Sequence, residues 1–85
     1  MAGALTQFRE LLDDQLRVLG PDHPDTLGTR SNLASWTGQA GDVAGALTQY
    51  RDLLDDQLRV LGADHPDTLG ARSNLAYFEN VAEPF

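Results

Sequence analysis

Laid against itself, the chain matches at a fixed offset of 42 residues: Ala2 to Trp36 parallels Ala44 to Phe78 without a gap, and six of those 35 pairs differ. The six are Phe8/Tyr50, Glu10/Asp52, Pro21/Ala63, Thr29/Ala71, Ser35/Tyr77 and Trp36/Phe78. A fixed period of roughly 20 to 50 residues marks a solenoid, whose units bury their apolar faces on one another. At 85 residues the chain allows one small domain, 1–85, that buries only about 60% of the surface its unfolded form exposes.

Within one period, Ala46, Leu47, Tyr50, Leu53, Leu54, Leu58 and Leu61 recur at steps of three and four, one stripe of a helix. This unit, helix B, is predicted to be capped by Asp42 at its start and closed by Gly62 in a left-handed conformation. The other unit, helix A, starts at a proline with an aspartate in its first turn, Pro24-Asp25 or Pro66-Asp67, which suits the positive helix end. Its apolar members in the fuller copy are Leu27, Leu33, Ala34, Trp36 and Ala40, before Gly41 stops it. No segment alternates like a strand. The reading is all-α, tandem antiparallel helix pairs in B-A-B-A order over about 2–19, 24–40, 43–61 and 66–82, with Pro84 opposing further helix.

The string Leu19-Gly20-Pro21-Asp22-His23-Pro24-Asp25-Thr26-Leu27, followed by Ser31-Asn32-Leu33-Ala34 and Gly41, resembles the tetratricopeptide repeat of the kinesin-light-chain type, a form common in bacterial signalling and regulatory proteins. In that pattern Asn-Leu-Ala lies on helix A, a glycine closes the turn into helix B, and an alanine and an aromatic follow; here these are Asn32-Leu33-Ala34, Gly41, Ala46 and Tyr50, with Ala4, Phe8 and Asn74-Leu75-Ala76 in the other copies. One departure stands out: the family places an aromatic where Thr37 and Glu79 stand, whereas Trp36 and Phe78 come one position earlier. Helix A is then rotated, or its aromatic packs on a different neighbour. The resemblance implies a TPR-like α-solenoid whose work is binding protein.

Composition narrows the partners. Thirteen acidic side chains against six arginines and no lysine give a net charge of −7, opposite to what a phosphate backbone requires; a charged partner should be a basic protein or peptide. No apolar run approaches the roughly 20 residues of a membrane span, and Met1 to Thr6 do not show the basic region and apolar core of a secretory signal. Cysteine is absent, excluding disulfides and thiolate metal sites; a cytoplasmic setting is the default expectation.

Neither a cofactor nor a metal is expected. His23 and His65 recur beside Asp22/Asp64 and Asp25/Asp67, a cluster that could hold a metal or exchange protons, but each lies in the same loop of each repeat, where a helix start already accounts for the residues. Asp13-Asp14 and Asp55-Asp56 point about 100° apart on a helix. Asp13 to Arg17 and Asp55 to Arg59 have the i, i+4 spacing of exposed ion pairs. No catalytic residue is assigned.

On helix A, Asn32, Ser35 and Gln39, with Asn74 and Tyr77 in the second copy, fall on one polar stripe. The resemblance places this stripe on the concave wall, with Asn32 and Asn74 at the position that holds the backbone of an extended peptide; the amides could equally bond to neighbouring helices. Arg30 and Arg72 either line the groove or pair with aspartates of helix B. The B-A-B-A order leaves the first B and the last A each without one neighbour. Leu5, Phe8 and Leu12 on one, with Leu75 and Phe78 on the other, are therefore expected to drive self-association into a dimer or a head-to-tail homo-oligomer. A monomeric peptide-binding module is the alternative.

Overall fold

The computed structural model describes residues 2–82. It is four α-helices in series, α1 (Ala2–Val18), α2 (Pro24–Gln39), α3 (Val43–Val60) and α4 (Pro66–Ala82), with no strand among the described residues. Helices α1 and α3 are the B type, α2 and α4 the A type. Short links force each helix to reverse on the one before, and each packs on the next, while α2 also touches α4. The molecule measures 42 × 33 × 16 Å. Since one helix with its side chains is about 10–12 Å across, the thinnest dimension leaves every helix a solvent face. The buried apolar core is correspondingly small: Leu27, Ala34, Ala46, Tyr50, Leu53, Ala71 and Phe78.

Caps fix the element ends. The Asp42 carboxylate accepts the Gly45 N–H at 2.9 Å, a bond whose loss from an N-terminus costs about 1 kcal/mol. Helix α3 closes where the N–H groups of Leu61 and Gly62 both reach the Gln57 carbonyl, at 2.7 and 3.0 Å. Gly62 has φ 91° and Gly41 φ 108°, the left-handed region that side chains avoid. The starts of α2 and α4 hold something the proline and aspartate did not announce. The ring Nδ1 of His23 accepts the Asp25 N–H at 3.1 Å, and that of His65 accepts the Asp67 N–H at 3.0 Å. Both histidines cap helices.

The displaced aromatic is explained by what it reaches. Phe78 crosses to α2, where a Cβ on Gly38 would stand 2.3 Å from its ring. It stacks on Tyr50 of α3 at 5.9 Å between centroids, and Tyr77 meets its edge at 5.0 Å. The Tyr50 hydroxyl donates to the Ser31 carbonyl at 3.2 Å and accepts from the Ser35 hydroxyl.

Gly38 and Gly70 therefore respond oppositely to alanine. Each exchange gains up to about 1 kcal/mol of helix propensity. At Gly70 the added methyl meets nothing within 4 Å, so Gly70→Ala should raise the melting temperature, by about 4–8 °C per kcal/mol. At Gly38 the methyl strikes a buried ring, and overpacking of about 1–3 kcal/mol outweighs the gain. Thermal melts followed by circular dichroism should give opposite signs.

Candidate functional site

Helices α2 and α4 flank a groove floored by α3. Gly28, Ser31, Asn32, Gln57, Gly70 and Asn74 line one part of it, with a volume of about 330 Å³. Asn74 is shared with a second part of about 550 Å³, which runs past Ser35, Gln39, Tyr77, Phe78 and Val81. Both volumes fall in the range of roughly 300–1,000 Å³ usual for ligand sites. The fold thus brings Asn32, Ser35, Gln39, Asn74 and Tyr77 together along one channel, although Ser35 also bonds to Tyr50.

Arg30 and Arg72, expected either to line the groove or to pair with aspartates of helix B, line neither part of it. Arg30 turns toward α3 and binds Asp56 at 2.6 Å, in a depression it shares with Leu12, Leu33, Gln49 and Asp52. A carboxylate within reach on the next helix is a stronger partner for a guanidinium than groove water. Arg72, its counterpart, is exposed and has no ion-pair partner among the described residues.

Gln57 was not anticipated. It is fully buried on the groove floor, yet its Oε1 has no hydrogen-bond partner. Among the described residues the other unpartnered buried side-chain oxygens are those of Gln15, Thr26 and Thr68. Gln15 and Gln57 are counterparts in the 42-residue repeat, as are Thr26 and Thr68. Leaving such a group unpaired costs about 1–3 kcal/mol. The signal in the sequence was a glutamine on the apolar stripe, one turn after Leu53 and Leu54.

A charge network ties α2 and its preceding loop to α3. Arg30 holds Asp56, and Arg59 bonds both Asp56 at 3.2 Å and Asp22 at 3.0 and 2.8 Å. The spacing had suggested Asp13–Arg17 and Asp55–Arg59 pairs; instead Arg17 binds Asp14 at 3.1 Å, and Arg59 takes Asp56 and Asp22. For Arg59, Asp22 of the loop lies across from it and offers both carboxylate oxygens; nothing in the structure explains the choice of Asp14 by Arg17. Hydrogen bonding from Arg30, opposed by partial desolvation and helped by Arg59, holds the Asp56 carboxyl below its usual range; Arg59 does the same for Asp22. Because the folded values are depressed, the stability these carboxylates add is present above the ordinary carboxylate range and is lost as pH falls through it. Asp56→Asn should flatten the acid limb of a stability-against-pH curve, read from urea midpoints between about pH 5 and pH 2.

Residues 1–25 and 26–67 match the tetratricopeptide repeat family. The chain belongs to that family. Searches of curated proteins and of solved structures found no match. Tetratricopeptide repeats mediate contacts between proteins, and α2 with α3 forms one complete A–B unit of this kind. Among the described residues no three His, Cys, Asp or Glu come together as metal ligands, and no helix is long and apolar enough to cross a membrane.

In this tetratricopeptide chain, identical residues at identical repeat positions have different surroundings. Leu53 is 0% exposed and its counterpart Leu11 45%; Leu27 is 1% exposed and its counterpart Leu69 48%. Ala34 is buried while Ala76 is exposed, and Ala46 and Tyr50 are buried while Ala4 and Phe8 are half-buried. The outer face of α1 is thus the α3 face that packs on α2, uncovered. The outer face of α4 is likewise the α2 face that packs on α3.

Only part of the predicted association surface lies on these faces. Phe78 is buried over Gly38 and Tyr50, and Leu75 packs against the chain's own core, so neither is an outward contact. Leu5 and Leu12 are half-buried, Leu12 in the depression beside Arg30. Phe8 remains on the open face, joined by Leu11, Leu69 and Ala76. A helix A with a B on each side needs two apolar stripes, and residues 71, 75 and 78 form the inner one, 69 and 76 the outer.

Proposed function

We propose that this tetratricopeptide chain is a non-catalytic interaction module that binds further copies of itself through the open faces of α1 and α4. The observation that carries the reading is that five members of the core, Leu27, Ala34, Ala46, Tyr50 and Leu53, have less buried counterparts: Leu69 and Ala76 on α4 and Leu11 on α1 are exposed, and Ala4 and Phe8 on α1 are half-buried. Full burial of a leucine yields about 1.5–3 kcal/mol, and two leucines already half covered yield about half of that each. Against the cost of association, so modest a gain supports a weak, concentration-dependent assembly. Light scattering from micromolar to millimolar protein tests it. The mass should climb above 9.2 kDa, and Leu69→Asp should hold it there; a wild-type mass of one chain throughout would refute the reading.

A second reading rests on Gln57. An amide oxygen without a partner, buried in the floor of a groove walled by Asn32 and Asn74, suits the N–H of an extended peptide, since an amide wall can pair with backbone in either direction. The acidic balance favours basic peptides. An array of basic peptides probed with Leu69→Asp protein tests this reading: binders should be lost with Asn74→Ala, and indifference to that change would remove the groove from consideration.

A further inference from the structure

We infer that copies of the chain join head to tail through a second charge network that duplicates the internal one, with α4 of one copy seated on α1 of the next. This rests on the self-association proposed above and adds its geometry and register. The internal seam between α2 and α3 is held by Asp22, Arg30, Asp56 and Arg59. Shifted by one repeat, these are Asp64, Arg72, Asp14 and Arg17, the same four residue types. The two halves lie at opposite ends of the molecule. Asp64 and Arg72 precede and occupy α4, and neither has an ion-pair partner among the described residues. Asp14 and Arg17 lie on α1, already paired with each other at 3.1 Å, as Asp56 and Arg59 are on α3.

The α1 half is therefore preformed and waits for the arginine of an A helix. Its carboxylate shows what is missing: the side chain of Asp14 is 69% exposed, whereas that of Asp56, covered by Arg30, is 36% exposed. Seating Arg72 on Asp14 and Asp64 on Arg17 brings Leu69 and Ala76 onto Phe8 and Leu11, because those residues keep the same offsets as Leu27, Ala34, Tyr50 and Leu53. Charge and apolar registers agree. Some pairs differ at the new seam: the bonded pair Thr37 and Gln49 becomes Glu79 and Gln7, and Ser35 and Tyr50 become Tyr77 and Phe8. The hydroxyl bond to Ser31 therefore has no equivalent there, and an extra ring enters, that of the exposed Tyr77. The contact joins two different faces, so it is heterologous and adds copies at either end.

Reciprocal charge reversal tests the register, because a true pair shows non-additivity. Arg72→Asp and Asp14→Arg are each expected to weaken self-association at least tenfold by sedimentation equilibrium, and the double variant to recover to within about threefold of the wild type. Both sites are exposed, and unchanged helicity confirms that the variants fold. A wild type that stays at one chain at every concentration would overturn self-association itself. A wild type that assembles, with single variants like it or a double variant no better than the singles, would overturn the register alone; so would assembly that stops at two chains.

Discussion

Leu53→Ala is expected to destabilise the chain by about 2–5 kcal/mol, whereas Leu11→Ala, the same exchange at the same repeat position, should cost the monomer less than about 1 kcal/mol. The chemistry of the two deletions is identical. Leu53 lies in the core and leaves a cavity; Leu11 is nearly half exposed on the uncovered face of α1. A chain of this size has a total stability of roughly 4–13 kcal/mol, so the first change removes a large share of it. Urea unfolding of both variants at a concentration low enough to hold the protein monomeric provides the comparison. Raised protein concentration should then reverse the ranking of interest: Leu11→Ala should lose association that the wild type keeps. Equal losses of stability would mean that α1 and α3 occupy equivalent environments, contrary to the fold.

Phe78→Ala is expected to cost about 3–5 kcal/mol in dilute solution. The ring fills the space over Gly38, stacks on Tyr50 and supports Tyr77, so its removal opens the junction of α2, α3 and α4. The penalty of Gly38→Ala should also vanish in the Phe78→Ala background, because the added methyl then meets a cavity. Unchanged dilute stability, with association lost, would instead return Phe78 to the outer surface where its place on the last A helix had suggested it belonged.

That misplacement shows what a repeat does and does not disclose. The 42-residue offset, the Asp42 cap and the glycines at 41 and 62 were sufficient for an all-α fold of four helices in B-A-B-A order, because periodicity and turn chemistry act locally. The division of helix A into an inner and an outer stripe was not, because both stripes are apolar and interleaved, and only the packing shows that Phe78 faces α3 while Leu69 faces solvent. Comparing Leu27 with Leu69 requires knowing which neighbour covers each. For the groove, Asn32, Ser35, Gln39, Asn74 and Tyr77 were legible from their steps of three and four. Arg30 left it because Asp56, 26 residues away in the chain, lies within bonding distance. Gln57 stayed hidden because its meaning depends on burial without a partner. The histidine caps were similarly beyond spacing, since a ring nitrogen facing a backbone N–H is a matter of rotamer.

The central claim is that the open faces of α1 and α4 are the two halves of one interface, and a dilution series of amide spectra by nuclear magnetic resonance tests it residue by residue. Between millimolar and micromolar protein, the signals of Phe8, Leu11, Asp14, Leu69, Arg72 and Ala76 should move together along a single binding curve, while those of Leu27, Ala46 and Leu53 stay fixed. Spectra that do not change with concentration, or changes confined to Asn32, Gln57 and Asn74, would contradict it.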